Sequence, residues 1–296
     1  MRFDSRFTRY GIGNKPFAGP NPPYGAPITY YLESPKTVKI EILDKNKKVI
    51  RELTQVPKEK GLNRTTWDLR YQGPDPRRLK AEDVDPEEEF SGPRGGPQAL
   101  PGDYTVRLTA DSTVVEKPLT IYADPTVKAT ESELQTTFDY GIKLRDLQTS
   151  TNLALRAVDS LRDQLQQVEK SMTALNSKPP ADLMNSLSER LQQLHSMELQ
   201  LARPRDIPGY SMGPRLVDRL GALGSDLDHV LAAPTQYQRE YYNELQQEFV
   251  SDVGRVNTFL TKGVPEVNDA LTKQNGPTLM GGKPVKLPDW LPKDSK

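Results

Sequence analysis

The densest group of reactive side chains is acidic. Glu82, Asp83, Asp85, Glu87, Glu88 and Glu89 crowd around Pro86. Glycoside hydrolysis needs two carboxylates facing each other across the sugar, and a calcium ion needs several converging oxygens. The spacing here dictates neither. It lacks the order of an EF-hand loop, and adjacent like charges beside proline read as a solvated face, with calcium capture by the loop as the sharper alternative. His195 and His229 are the two histidines. Each falls on a predicted helix, and the acids near the second, Asp226 and Asp228, stand at no ligand spacing. Both histidines therefore read as surface or boundary residues.

Other chemistries fail earlier. The chain has no cysteine, which removes thiolate nucleophiles, disulfides and cysteine-ligated metal. No serine is picked out as a nucleophile, so a Ser–His–Asp set has no proposed members. Gly92-Pro93-Arg94-Gly95-Gly96 neither follows a buried strand nor opens a helix, which argues against a phosphate cradle. Trp67 and the group Tyr24, Tyr30 and Tyr31 could stack on a sugar ring. The clean alternation around Trp67 makes core packing its better reading. No catalytic residue, cofactor-binding residue or metal ligand is assigned, and no cofactor is expected.

The 40 basic and 40 acidic residues cancel. A nucleic-acid or anionic-membrane surface as main partner is thereby disfavoured, since both demand basic excess. No window approaches the apolar length of a spanning helix, and the charged start, Met1 to Tyr10, is not a signal peptide.

Two patterns must position whatever the chain does. Residues 1–27 form a Pro/Gly-rich connector. Period-two alternation then runs over 28–125. Val38, Ile40 and Ile42 share one face, as do Asn63, Thr65, Trp67 and Leu69, and then Tyr104, Val106 and Leu108. A last strand over Thr113–Tyr122 offers Val115, Leu119 and Ile121 to the core. Gly61 and Gly102 introduce the two central strands, and 71–100 reads as a long polar loop between them. Six short strands predict an antiparallel immunoglobulin-like β-sandwich.

From Thr130 the period becomes helical. Val158, Leu161, Leu165, Val168, Met172 and Leu175 form a coiled-coil-like seam, continued upstream by Leu134, Phe138 and Ile142 with a slip near Thr149–Asn152. The helix predicted is about 45 residues and roughly 65 Å long. Further stripes follow at Leu183, Leu187, Leu191, Leu194 and Leu201, then at Leu216, Leu220, Leu223, Leu227 and Val230. A last one holds Tyr241, Leu245, Phe249, Val253, Val256 and Leu260, after a capping box at Thr235 and Gln238. Residues 126–275 thus predict an antiparallel α-helical bundle, and 276–296 a flexible or surface-draped tail. The fold class expected is α+β multidomain. The seams serve an internal core, or alternatively a homodimer.

Several motifs occur together: Asn21-Pro22-Pro23-Tyr24-Gly25-Ala26, Gly61-Leu62-Asn63, Trp67-Asp68-Leu69-Arg70 and Pro101-Gly102-Asp103-Tyr104. With Asp124-Pro125 and Pro234-Thr235 they resemble the C-terminal region of secreted bacterial proteins that carry a sortilin- or sialidase-like β-propeller, often labelled glycosyl hydrolases. The sandwich also resembles the immunoglobulin-like domain of the flagellar hook-capping protein. The resemblance spans nearly the whole chain, but the propeller blades are missing. It implies the end of a longer exported protein, or a split-off homologue of that end, at a periplasmic, cell-surface or secreted location. It also implies a non-catalytic accessory or interaction region that packs on a propeller in cis or trans, or binds a protein or glycan. The alternatives are a glycoside hydrolase and a carbohydrate-binding module.

Overall fold

Among the described residues of a computed structural model of the chain, alternating sequence becomes strand at six places. The structure describes residues 24–34, 36–54, 56–77, 95–125, 128–175, 180–203, 212–229 and 232–292. The connector up to residue 23, the acidic cluster 82–89 and the last four residues lie outside them. The strands are β1 (Ala26–Leu32), β2 (Val38–Leu43), β3 (Val49–Leu53), β4 (Gly61–Trp67), β5 (Gly102–Ala110) and β6 (Thr113–Ile121). They make two antiparallel sheets, β1 with β4 and a second in the order β3-β2-β5-β6. Helical segments complete an α+β chain that divides into two compact units. One holds the strands; the other holds the helices together with residues 73–77.

In the strand unit both sheets contribute to one core. Leu32 and Trp67 from the first meet Val38, Ile40, Ile42, Tyr104 and Val106 from the second. Burying each such side chain contributes about 1.5–3 kcal/mol. Gly61 and Gly102 open their strands at φ +102° and +149°, where a β-carbon is strained. Two expectations change. Leu69 does not extend β4, which ends at Trp67, and it turns to φ 58°, yet it still packs against the same core. Val115 does not reach the core: residues 113–118 of β6 are exposed on both faces, while Leu119 and Ile121 further along the strand pack against it.

The ends of the expected long loop are ordered by pairing with each other. The Tyr71 amide donates to Pro97, the Gly96 amide to Tyr71 and the Ala99 amide to Leu69, at 2.7–3.0 Å. The span 71–100 is therefore not a single polar surface loop. Its two ends belong to the strand unit and residues 73–77 to the helical one, while 78–94 lie outside the described residues.

The helices are α1 (Glu131–Leu175), α2 (Ala181–Leu201), α3 (Leu216–His229) and α4 (Gln236–Thr258). A π-helical turn, Phe259–Gly263, leads from α4 directly into the short α5 (Val264–Thr272). Pro265 explains the turn: it has no N–H to return to the preceding helical turn, and the wider turn absorbs the missing bond. The capping box at Thr235 and Gln238 is formed. A second, at Thr130 and Glu133, starts α1 and holds the Glu133 carboxyl below its usual pKa, first through the Thr130 amide.

Helix α1 has the expected 45 residues and packs against α2, α3 and α4. Its buried seam runs Leu144, Leu147, Thr151, Ala154, Val158, Leu161, Leu165, Val168 and Met172, alternating steps of three and four without interruption. The expected slip near 149–152 is a polar residue inside an unbroken seam, not a change of register. Thr151 is fully buried and returns its hydroxyl to the Leu147 carbonyl at 2.8 Å. Upstream, Leu134, Phe138 and Ile142 are only half-buried. On α4 the buried rings are Tyr242 and Phe249, whereas Tyr241 is half-buried.

The tail expected over 276–296 as flexible or surface-draped is, for 276–292, a segment seated on the helices. Leu279, Val285 and Leu291 are buried in the same core as α1.

Candidate interaction surface

The Trp67-Asp68-Leu69-Arg70 motif is a closed turn. The wholly buried Trp67 indole donates to the Arg70 carbonyl at 2.8 Å and meets Tyr104 edge-on at 5.5 Å. Asp68 accepts from the Arg70 amide at 3.2 Å and from Arg51 at 3.1 Å, while Arg70 donates to the Gly96 carbonyl. The Asp68 and Arg70 side chains are thus engaged within the strand unit. The ring best suited to sugar stacking is removed from solvent.

The carboxylates that do converge lie in the helical unit. Asp159 on α1 and Glu198 on α2 share Arg77 and Arg162. Arg77 donates to Asp159 at 2.7 and 2.9 Å and to Glu198 at 2.5 Å; Arg162 donates to Glu198 at 2.5 Å and to Asp159 at 3.1 Å. Burial alone would lower the Arg77 pKa; the bonds to Asp159 and Glu198 outweigh it and leave it raised. Two acids against two guanidinium groups make a neutral cluster. Both carboxylates are occupied by cations, so neither is disposed as a glycosidase acid or base. The cluster instead clips 73–77 onto α1, together with the Asn152 side chain on the Asp75 carbonyl and Arg156 on the Pro76 carbonyl.

Among the described residues, Asp252 on α4 is the other buried acid. Desolvation first, then repulsion from Glu248, raise its pKa against the pull of Arg255 and Arg219. Glu248 is ion-paired with Arg219, and the nearest Arg255 nitrogen stands 3.8 Å from Asp252. His195 is exposed on α2, and the His229 side chain lies outside the description. Among the described residues no three His, Asp or Glu side chains gather as a metal site, and no helix is long and apolar enough to cross a membrane.

One motif passed over in the sequence, Gly209-Tyr210-Ser211-Met212-Gly213, has the letters of a nucleophile elbow. That elbow sits between a strand and a helix; here the stretch falls between helices α2 and α3. Ser211 itself is outside the described residues.

What faces solvent is more informative. On the two-stranded sheet Tyr31 lies directly opposite Leu62, and they are 65% and 78% exposed. Beside them the Arg64 guanidinium donates to the Thr29 hydroxyl, its cross-strand partner, at 3.3 Å. A cross-strand apolar pair such as Tyr31–Leu62 stabilises the sheet by about 0.2–1 kcal/mol through mutual contact, and here it does so while facing solvent. The edge strand β6 also exposes Val114 and Val115, but Pro118, Glu116 and Lys117 sit along it. Proline and charge are the ordinary guards against strand addition. Tyr237 and Tyr241 on α4 stack on each other, 5.9 Å apart and 16° from parallel, with Tyr237 71% exposed.

The chain matches no family model, no curated protein and no solved structure.

Proposed function

We propose that the chain is a non-catalytic accessory region that docks on a sialidase- or sortilin-like β-propeller, in cis or in trans, at an exported location. In this reading the strand unit is an immunoglobulin-like sandwich and the helical unit an antiparallel bundle. The observation that carries it is the outward Tyr31–Leu62 pair. Two large apolar side chains register-matched on a solvent-facing sheet, with an arginine alongside, have the composition of an interface centre. The occupied carboxylates at Asp159 and Glu198 and the buried Trp67 favour docking over hydrolysis or sugar stacking.

The test mixes the chain with a recombinant sialidase-like propeller from a protein carrying a region of this kind and follows complex formation by light scattering and calorimetry. Tyr31→Asp with Leu62→Asp is expected to weaken the complex at least tenfold while leaving the circular dichroism unchanged. Unaltered affinity in that variant would refute the surface. Glycosidase turnover by the purified chain, abolished by one carboxylate substitution, would refute the reading as a whole.

A further inference from the structure

The segment 276–292 is held in a way that ordinary surface packing does not require. Asn268 on α5 accepts from the Leu279 amide at 2.7 Å and donates to the Leu279 carbonyl at 3.0 Å. Gln164 on α1 does the same for the next residue, taking the Met280 amide at 2.7 Å with its own NH2 3.5 Å from the Met280 carbonyl. Asn257 on α4 repeats the pattern at Val285, with 2.7 Å to the amide and 3.1 Å to the carbonyl. The Ser150 hydroxyl donates to the Lys286 carbonyl at 3.0 Å.

A carboxamide offers one acceptor and two donors on a planar head. In an extended chain the N–H and C=O of one residue point the same way, so one side-chain amide can replace the partner residue of an antiparallel pair. Successive residues point oppositely, and Asn268 and Gln164 accordingly take Leu279 and Met280 from two different helices. The segment's prolines at 277, 284, 288 and 292 keep it extended and out of helix.

Apolar anchors complete the seat. Leu279, Val285 and Leu291 recur every six residues and are buried, whereas Met280 is 80% exposed. Near the last anchor the Trp290 indole donates to Asp146 at 3.0 Å, with the Lys143 ammonium 5.8 Å from the indole ring and 5.7 Å from Tyr140. Paired main-chain bonds for affinity, with pockets for spaced side chains, are how extended peptides are recognised generally.

We propose that α1, α4 and α5 form a binding groove for an extended peptide, filled here by the chain's own 276–292, and that its partner in trans is the same segment of a second copy. The fit of this one sequence to the groove names the occupant: every clamp and anchor that holds it in cis holds it equally from a neighbouring chain. Asn275, at φ 52°, and Gly276 lie between the end of α5 and the first clamp at 279 and supply the joint at which the whole segment releases. The inference is independent of the propeller docking proposed above.

Two full-length variants test it. Leu279→Asp with Val285→Asp unseats the segment and leaves the groove intact; Asn257→Ala with Asn268→Ala removes clamps and leaves the segment intact. Mixed, they are expected to form a one-to-one heterodimer by light scattering, at least tenfold tighter than either variant with itself. A mixture that stays monomeric while both variants keep wild-type helicity overturns the proposal. Should either variant fail to fold, hydrogen exchange on the wild-type chain decides. The Leu279, Met280 and Val285 amides are expected to exchange at least a hundredfold faster than those of Phe249 and Val253, by local opening. Equal rates would mean that the segment leaves only on global unfolding, and would also overturn it.

Discussion

Glu198 is the residue whose loss the helical unit should feel most sharply. Its side chain is 3% exposed, and each carboxylate oxygen accepts from a different guanidinium at 2.5 Å. In Glu198→Ala, Arg77 and Arg162 would retain only Asp159, at 2.7 and 3.1 Å, and three side chains would carry a net positive charge. Removing one partner of a buried ion pair costs about 3–5 kcal/mol, because the remaining charge stays desolvated. The lower end applies, since the two guanidinium groups are 13% and 27% exposed and keep one acid. A loss of about 3 kcal/mol lowers the melting temperature of a unit of this size by roughly 6–12 °C. Differential scanning calorimetry measures it, and Arg77→Ala in a double-mutant cycle isolates the Arg77–Glu198 coupling. Because Arg77 tethers 73–77, proteolysis at that stretch should accelerate in the same variant. A melting temperature within 2 °C of wild type would refute the account of the cluster as a structural clip.

The Asp252 pKa is raised above its ordinary 3.8, so between the two values the folded chain holds a proton that the unfolded chain has lost. Stability contributed by this group is therefore present at low pH and lost as pH rises through the folded pKa. Asp252→Asn should gain melting temperature relative to wild type on going from about pH 4 to pH 7, and a gap that shrinks instead would contradict the sign. Gly25 stands at φ +124° with the Trp67 carbonyl oxygen 2.0 Å from where a β-carbon would sit. Gly25→Ala should destabilise the strand unit by about 2 kcal/mol or more in urea titration. The two tryptophans fall one in each unit, Trp67 wholly buried and Trp290 half-buried. Trp290→Phe should leave a bluer emission than Trp67→Phe, measured by steady-state fluorescence, and the two variants should follow the unfolding of the strand and helical units separately.

Periodicity by itself determined most of the framework. Alternation at Val38–Ile42 and Tyr104–Val106, and three-four steps at Val158–Met172, are consequences of strand and helix geometry, so burial of one face can be read directly from residue type. The glycines at 61 and 102 and the Thr235–Gln238 box were legible for the same local reason. Other features depended on partners distant in sequence. Val115 has the same residue type as a core valine, but it lies on the stretch 113–118 of β6 that stays exposed, unlike Leu119 and Ile121 further along. Thr151 looks like a break in the seam until its hydroxyl finds the Leu147 carbonyl. The Arg77 cluster joins residues 82 and 121 positions apart, and no local pattern announces it. The segment 276–292 was legible only as a tail, flexible or surface-draped. Its composition says loop, but its three spaced apolar residues and the amides of Gln164, Asn257 and Asn268 become a seat only when α1, α4 and α5 come together, because an extended chain without its own sheet must take its hydrogen bonds from elsewhere.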